Sequence, residues 1–113
     1  MPILDVEIVG AAAPDAARRL ADAAAQVFDA APGTVWVKVR VIDAALYAEN
    51  GPVQALPVFV RVLKRSAPTD ATREHWALAR ALGAALGLPH EQVHITYEPP
   101  AVGRQSFGGN LVD

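Results

Sequence analysis

The chain has 113 residues, a net charge of −2 at neutral pH with 10 Lys and Arg against 12 Asp and Glu, and a hydrophobic fraction of 52%. One domain over residues 1–113 with an ample core is expected, and a general attraction to nucleic acid or to anionic membranes is excluded by the charge. There is no cysteine, no basic n-region ahead of Asp5 and Glu7, and no apolar run near the roughly 18 residues of a membrane span, so a soluble cytoplasmic protein without disulfides is expected.

Residues 3–9 alternate, with Leu4, Val6 and Ile8 on one side and Asp5 and Glu7 on the other, which predicts a half-buried strand. From Asp15 to Ala31 the period lengthens. Ala16, Leu20, Ala24, Val27 and Ala31 fall three or four residues apart while Arg18, Arg19 and Asp22 lie mostly opposite, and this predicts an amphipathic helix stopped by Pro32-Gly33. Val35, Val37, Val39 and Val41 then alternate with Trp36, Lys38 and Arg40 as a second strand. The run from Pro57 to Lys64 reads as a third. Asp70 to Leu86 reads as a helix with Trp76, Ala79, Leu82 and Leu86 on one face, and Gly87 and Pro89 supply its stop. A fourth strand follows, with Val93, Ile95 and Tyr97 alternating with His94, Thr96 and Glu98.

The order is βαββαβ, and the halves superimpose in sequence. Shifted by 55 positions, Pro2 falls on Pro57 and Asp15 on Asp70; shifted by 58, Val35 falls on Val93 and Gly51 on Gly109. We read two pseudo-repeats, about 2–51 and 57–109, each a βαβ unit with a helical crossover between parallel strands. The class is α+β: two βαβ units forming a four-stranded mixed sheet with two helices on one face. The other face carries Trp36 and Phe59 beside charged residues, which predicts burial against another copy of the chain.

Two motifs fail on geometry. His90-Glu-Gln-Val-His94 matches the HExxH pattern, but that site needs a helix. Pro89 and the alternation after Val93 make a strand, in which residues four apart are separated by roughly 13 Å. The Gly103–Gly109 segment lacks the Lys and Ser/Thr of a phosphate loop, and basic residues are not interleaved with aromatics as on a nucleic-acid platform. No metal and no cofactor is expected.

The paired units, the Met-Pro start running directly into a strand, and the segments ending Tyr-Ala-Glu-Asn-Gly51 and Gln-Ser-Phe-Gly-Gly109 resemble the tautomerase superfamily over nearly the whole chain. Single-unit members are similar to 4-oxalocrotonate tautomerase, and fused members of this length to macrophage migration inhibitory factor or malonate semialdehyde decarboxylase. The resemblance implies a homotrimer and a cofactor-independent tautomerase or isomerase acting on a small 2-oxo or enol carboxylate.

Its catalytic residue would be Pro2, a secondary amine once Met1 is removed. Such an amine takes a proton from carbon beside a carbonyl and returns it elsewhere. Its reference pKa of about 8 falls in an apolar pocket or beside a cation. Pro57 has only a tertiary amide nitrogen.

A cation must also hold the substrate carboxylate and the developing enolate. Arg65 and Lys64, at the end of the third strand, match the place of substrate-binding arginines in fused relatives; Arg104 lies in the tail that in relatives reaches a neighbouring pocket. Tyr47 matches an aromatic pocket position, and Phe107 belongs to the matching tail segment. Lys38 and Arg40 read as surface charge.

The chain departs from the family pattern at Ala11, Ala30, Ala31, Trp36 and His94, where cations or other residues are usual, and at Gln105, where decarboxylase-like members have tryptophan. Two alternatives therefore stand beside tautomerisation. One is a non-catalytic binding or interaction protein on the same scaffold. The other is a related proline-dependent dehalogenase or decarboxylase, for which Glu98 or Asp43 would activate water.

Overall fold

The computed structural model describes residues 2–113. The chain runs through β1 (Ile3–Val9), α1 (Ala16–Phe28), β2 (Trp36–Ile42), β3 (Val58–Leu63), α2 (Ala71–Leu86) and β4 (Val93–Tyr97), then a small hairpin of β5 (Ser106–Phe107) and β6 (Asn110–Leu111). The main sheet has the order β2-β1-β3-β4. Its outer pairs are parallel, and β1 and β3 meet antiparallel at its centre. This is the expected mixed sheet of two βαβ units. No helix among the described residues is long and apolar enough to cross a membrane.

Alternation decides the two faces. Leu4, Val6 and Ile8 pair in register with Val62, Val60 and Val58, and all six are buried together with Ala16, Leu20 and Ala24 of α1 and Leu78, Ala79 and Leu82 of α2. Both helices therefore lie over one face. The opposite face carries Asp5, Glu7, Lys38, Arg40, Phe59, Arg61 and His94. It is held by ion pairs of Arg40 with Asp5 (3.1 Å) and Glu7 (3.5 Å) and of Arg61 with Glu98 (3.2 Å).

Three expectations are corrected. Trp76 does not join the buried face of α2: its ring is 52% exposed, under the Arg80 guanidinium at 4.6 Å, because Leu78 and Leu82 already fill the contact with the sheet. Val41 is exposed although its strand alternates regularly, since β2 is an edge strand and α1 does not reach its end. The first helix stops at Phe28, before Ala31. Asp29 takes the left-handed conformation (φ 51°), and the amides of Asp29 and Ala30 bond back to Gln26 and Ala25, a Schellman closure that consumes the last carbonyls of the helix.

Candidate functional site

Pro2 stands one residue ahead of β1, half-buried. Its carbonyl accepts from the Trp36 amide at 3.1 Å, so the chain is pinned at the start of a strand, where proline costs no ladder donor. Met1, whose removal would free the Pro2 nitrogen, lies outside the described residues. Continuing the β1–β3 register one step beyond Ile3 and Leu63 sets Pro2 opposite Lys64, on the side that Leu4 and Val62 share.

Lys64 is largely buried and its ammonium is engaged twice. Nζ lies 2.7 Å from Glu74 Oε1, in the first turn of α2, and 5.1 Å from the centre of the Phe28 ring. The other oxygen of Glu74 accepts from the Tyr97 hydroxyl at 2.8 Å. Burial, and then the hydrogen bond to Glu74, push the Tyr97 phenol far above the ordinary tyrosine value. It therefore remains a proton donor at any working pH.

The remaining candidates lie around this end of the sheet with one exception. Arg65 is exposed, and its guanidinium donates through Nε (2.9 Å) and Nη2 to the backbone oxygen of Asp113. The tail is strapped there again by the amides of Ala101 and Val102, which donate to the carbonyls of Lys64 and Arg65. Phe107, on the tail hairpin, meets Trp36 edge-on with centroids 5.5 Å apart. Arg104 opens onto a cavity of about 410 Å³ on the open sheet face, lined also by Asp5, Lys38, Arg61, Glu98 and Gln105. Arg104 makes no ion pair among the described residues. Two buried acceptors border this cavity. Gln105 Oε1 has no hydrogen-bond partner, and Asp5 Oδ1 has Arg40 Nη2 at 3.1 Å without hydrogen-bond alignment.

Tyr47 is the exception. Its ring leans on Phe59 (6.1 Å), which pairs with Glu7 far along β1 from Pro2, and its hydroxyl donates to Glu49, the contact that raises its pKa. Within one chain Tyr47 is not part of the Pro2 site.

A second cavity, about 350 Å³, opens at the opposite end of the sheet between Ile8, Leu56, Val58, Leu86 and Leu88. It is distant from Pro2. The His90–His94 segment is one 3₁₀ turn running into β4, and His94 stacks on Phe59 at 5.7 Å. No group of three metal-capable side chains lies together among the described residues.

Glu74, Tyr97 and Phe28 escaped the sequence reading as members of the site. Glu74 carries the ordinary signature of a first-turn carboxylate, favoured by the helix dipole, and its pairing with Lys64 exists only after α2 docks.

No protein-family model and no curated protein sequence matches the chain. Solved structures share its fold. A fused 4-OT, a wild-type symmetric trimer, aligns with a TM-score of 0.77 and 22% identity over 97% of this chain and 94% of that one. FG41 malonate semialdehyde decarboxylase, inhibited by 3-bromopropiolate, gives 0.71 and 17% over 94% and 88%. A macrophage migration inhibitory factor-like protein from Entamoeba histolytica gives 0.70 and 8% over 94% of each chain. The chain thus has the tautomerase-superfamily fold along nearly its whole length.

Proposed function

We propose that the protein is a cofactor-independent tautomerase of a small 2-oxo or enol carboxylate, acting as a homotrimer, with the Pro2 amine as general base. The observation that supports this reading is the placement of Pro2: half-buried, at the open end of a central strand, on the register position opposite Lys64, whose ammonium is held by Glu74. An amine at this position, shielded from water and beside a cation only partly compensated by Glu74, would serve as the base that takes the proton from carbon. Lys64 is the cation on the helix side of Pro2 for the carboxylate or the enolate oxygen, whereas Arg104 serves the cavity across the sheet, on its open face. Arg65 stands at the same strand end with its guanidinium on the Asp113 oxygen, and Phe107 with Trp36 forms an apolar wall. Tyr47 would reach a site only in a neighbouring subunit.

A decarboxylase or dehalogenase is less well supported, because Glu98 is paired with Arg61 and Asp43 caps the turn at Ala44–Leu46, which leaves neither carboxylate free to activate water. A non-catalytic scaffold has two observations in its favour: the tail occupies Arg65 and Glu74 occupies Lys64.

Intact mass, together with phenylenolpyruvate and 2-hydroxymuconate tautomerase assays on the protein and on Pro2→Ala, separates the readings. Loss of Met1 with turnover that drops at least a hundredfold in Pro2→Ala is expected. Protein free of Met1 without turnover would favour the scaffold.

A further inference from the structure

Four elements bring one ammonium, one carboxylate, one phenol and one aromatic ring together at the Pro2 end of the sheet. Lys64 follows β3, Glu74 lies in the first turn of α2, Tyr97 ends β4 and Phe28 ends α1. The side chains of Lys64 and Glu74 are 21% and 18% exposed, so the pair is poorly screened compared with the surface pairs of this chain. Glu74 spends one oxygen on each partner. A lysine has three donors and a flexible stem; tied to Glu74 and laid over Phe28, it keeps donors for a ligand without the freedom to wander.

We propose that Glu74 is a positioning residue: through its two hydrogen bonds it fixes Lys64 as a single, partly neutralised cation opposite Pro2, and so sets the field felt by the Pro2 amine. The inference rests on the reading of Pro2 as a free amine. The other charges at this end come in pairs or are turned elsewhere. Lys38 is beside Asp5 and Arg61 beside Glu98 on the open face, and Arg65 is held by the Asp113 oxygen. Arg73, exposed, borders with Asp70 the shallow cavity on the outer side of Glu74, and Arg104 opens onto the far side of the sheet. Arg73 and Asp70 are solvent-exposed and screened, so on the helix side of Pro2 Lys64 and Glu74 are the half-buried pair whose balance counts.

The two members of the pair have opposite effects, and this gives the test. Protein free of Met1 and labelled with [¹⁵N]proline is titrated by NMR, which reads the Pro2 amine without any substrate. Glu74→Gln leaves Lys64 uncompensated, disfavours the protonated amine, and is expected to move its titration down by about half a pH unit. Lys64→Met leaves Glu74 uncompensated and is expected to move it up by a similar amount. Lys64→Arg is expected to stay near wild type. Where there is turnover, the acidic limb of the kcat/KM profile follows each shift. A structural defect has no reason to move the two variants in opposite directions.

Shifts of one sign, or none, overturn the inference even where the enzyme turns over. Opposite shifts without turnover sustain it and overturn the proposed reaction. Retained Met1, read by mass, overturns both. Should Glu74→Gln fail to fold, Glu74→Ala in the Lys64→Met background decides: a shift back down from Lys64→Met sustains the inference, and no change overturns it.

Discussion

Gly83 lies on the buried side of α2, where an added Cβ would sit 2.7 Å from the Leu88 carbonyl oxygen and 3.4 Å from the His90 amide nitrogen. Alanine is the better helix former by about 1 kcal/mol, but here the obstacle is backbone, which cannot rotate aside. Gly83→Ala is expected to cost about 1–3 kcal/mol through overpacking, read as a lower midpoint in urea unfolding. The same scale shows how far the sequence reaches into the site. Pro2 and Lys64 stand at the strand ends where alternation sets them, whereas Phe107 is singled out only by the likeness of the tail segment. Arg65 stands where it was expected, but the tail that occupies it folds back from residues 101–113, and nothing local to Arg65 announces that. The partners of Lys64 are likewise set by how α2 packs. A basic pair at a strand end reads the same whether or not a helix later presents a carboxylate to it.

Helix ends show the same limit one level up. α2 is legible at both ends: Asp70 accepts from the Arg73 amide at 3.1 Å, and Gly87 takes the left-handed conformation at φ 71°. α1 misleads, because its apolar period runs on to Ala31 while the chain turns at Asp29, and no glycine marks the turn. Asp29 is the non-glycine residue that holds positive φ among the described residues. Asp29→Gly is expected to stabilise the protein by roughly 0.5–1 kcal/mol, as a rise in the thermal midpoint without a change in fold. The tail hairpin was also missed, although its signal is present. Gly108 and Gly109 at φ 55° and 94° form the two-residue turn that matches strand twist, yet flanking strands of two residues are too short to show alternation.

Across the molecule, the open sheet face offers a surface on which copies of the chain could assemble. Phe59 stacks between Tyr47 and His94 on that face, and Trp36, Leu46, Val53 and Leu56 add exposed apolar surface along β2 and the connection to β3. Such surface on a chain this small fits association with further copies. Sedimentation at micromolar concentration is expected to give a trimer, and Phe59→Lys to shift it towards monomer; a wild-type monomer would contradict the assignment. The four strands, the two helices and the sheet face that the helices cover were legible in the sequence, since they depend on period.

The central pairing of β1 with β3 also has a consequence in time. β1 precedes both of its neighbours in the chain, and they lie at very different distances along it: Trp36 pairs with Ile3 after a short stretch, whereas Leu63 meets the same residue only after a much longer one. Until then one edge of β1 is an open row of amides and carbonyls. At high concentration β3 of another molecule can fill that edge as well as its own can. Refolding therefore has a bimolecular route that competes with the unimolecular one, and the yield of correctly closed chains falls as the protein is concentrated.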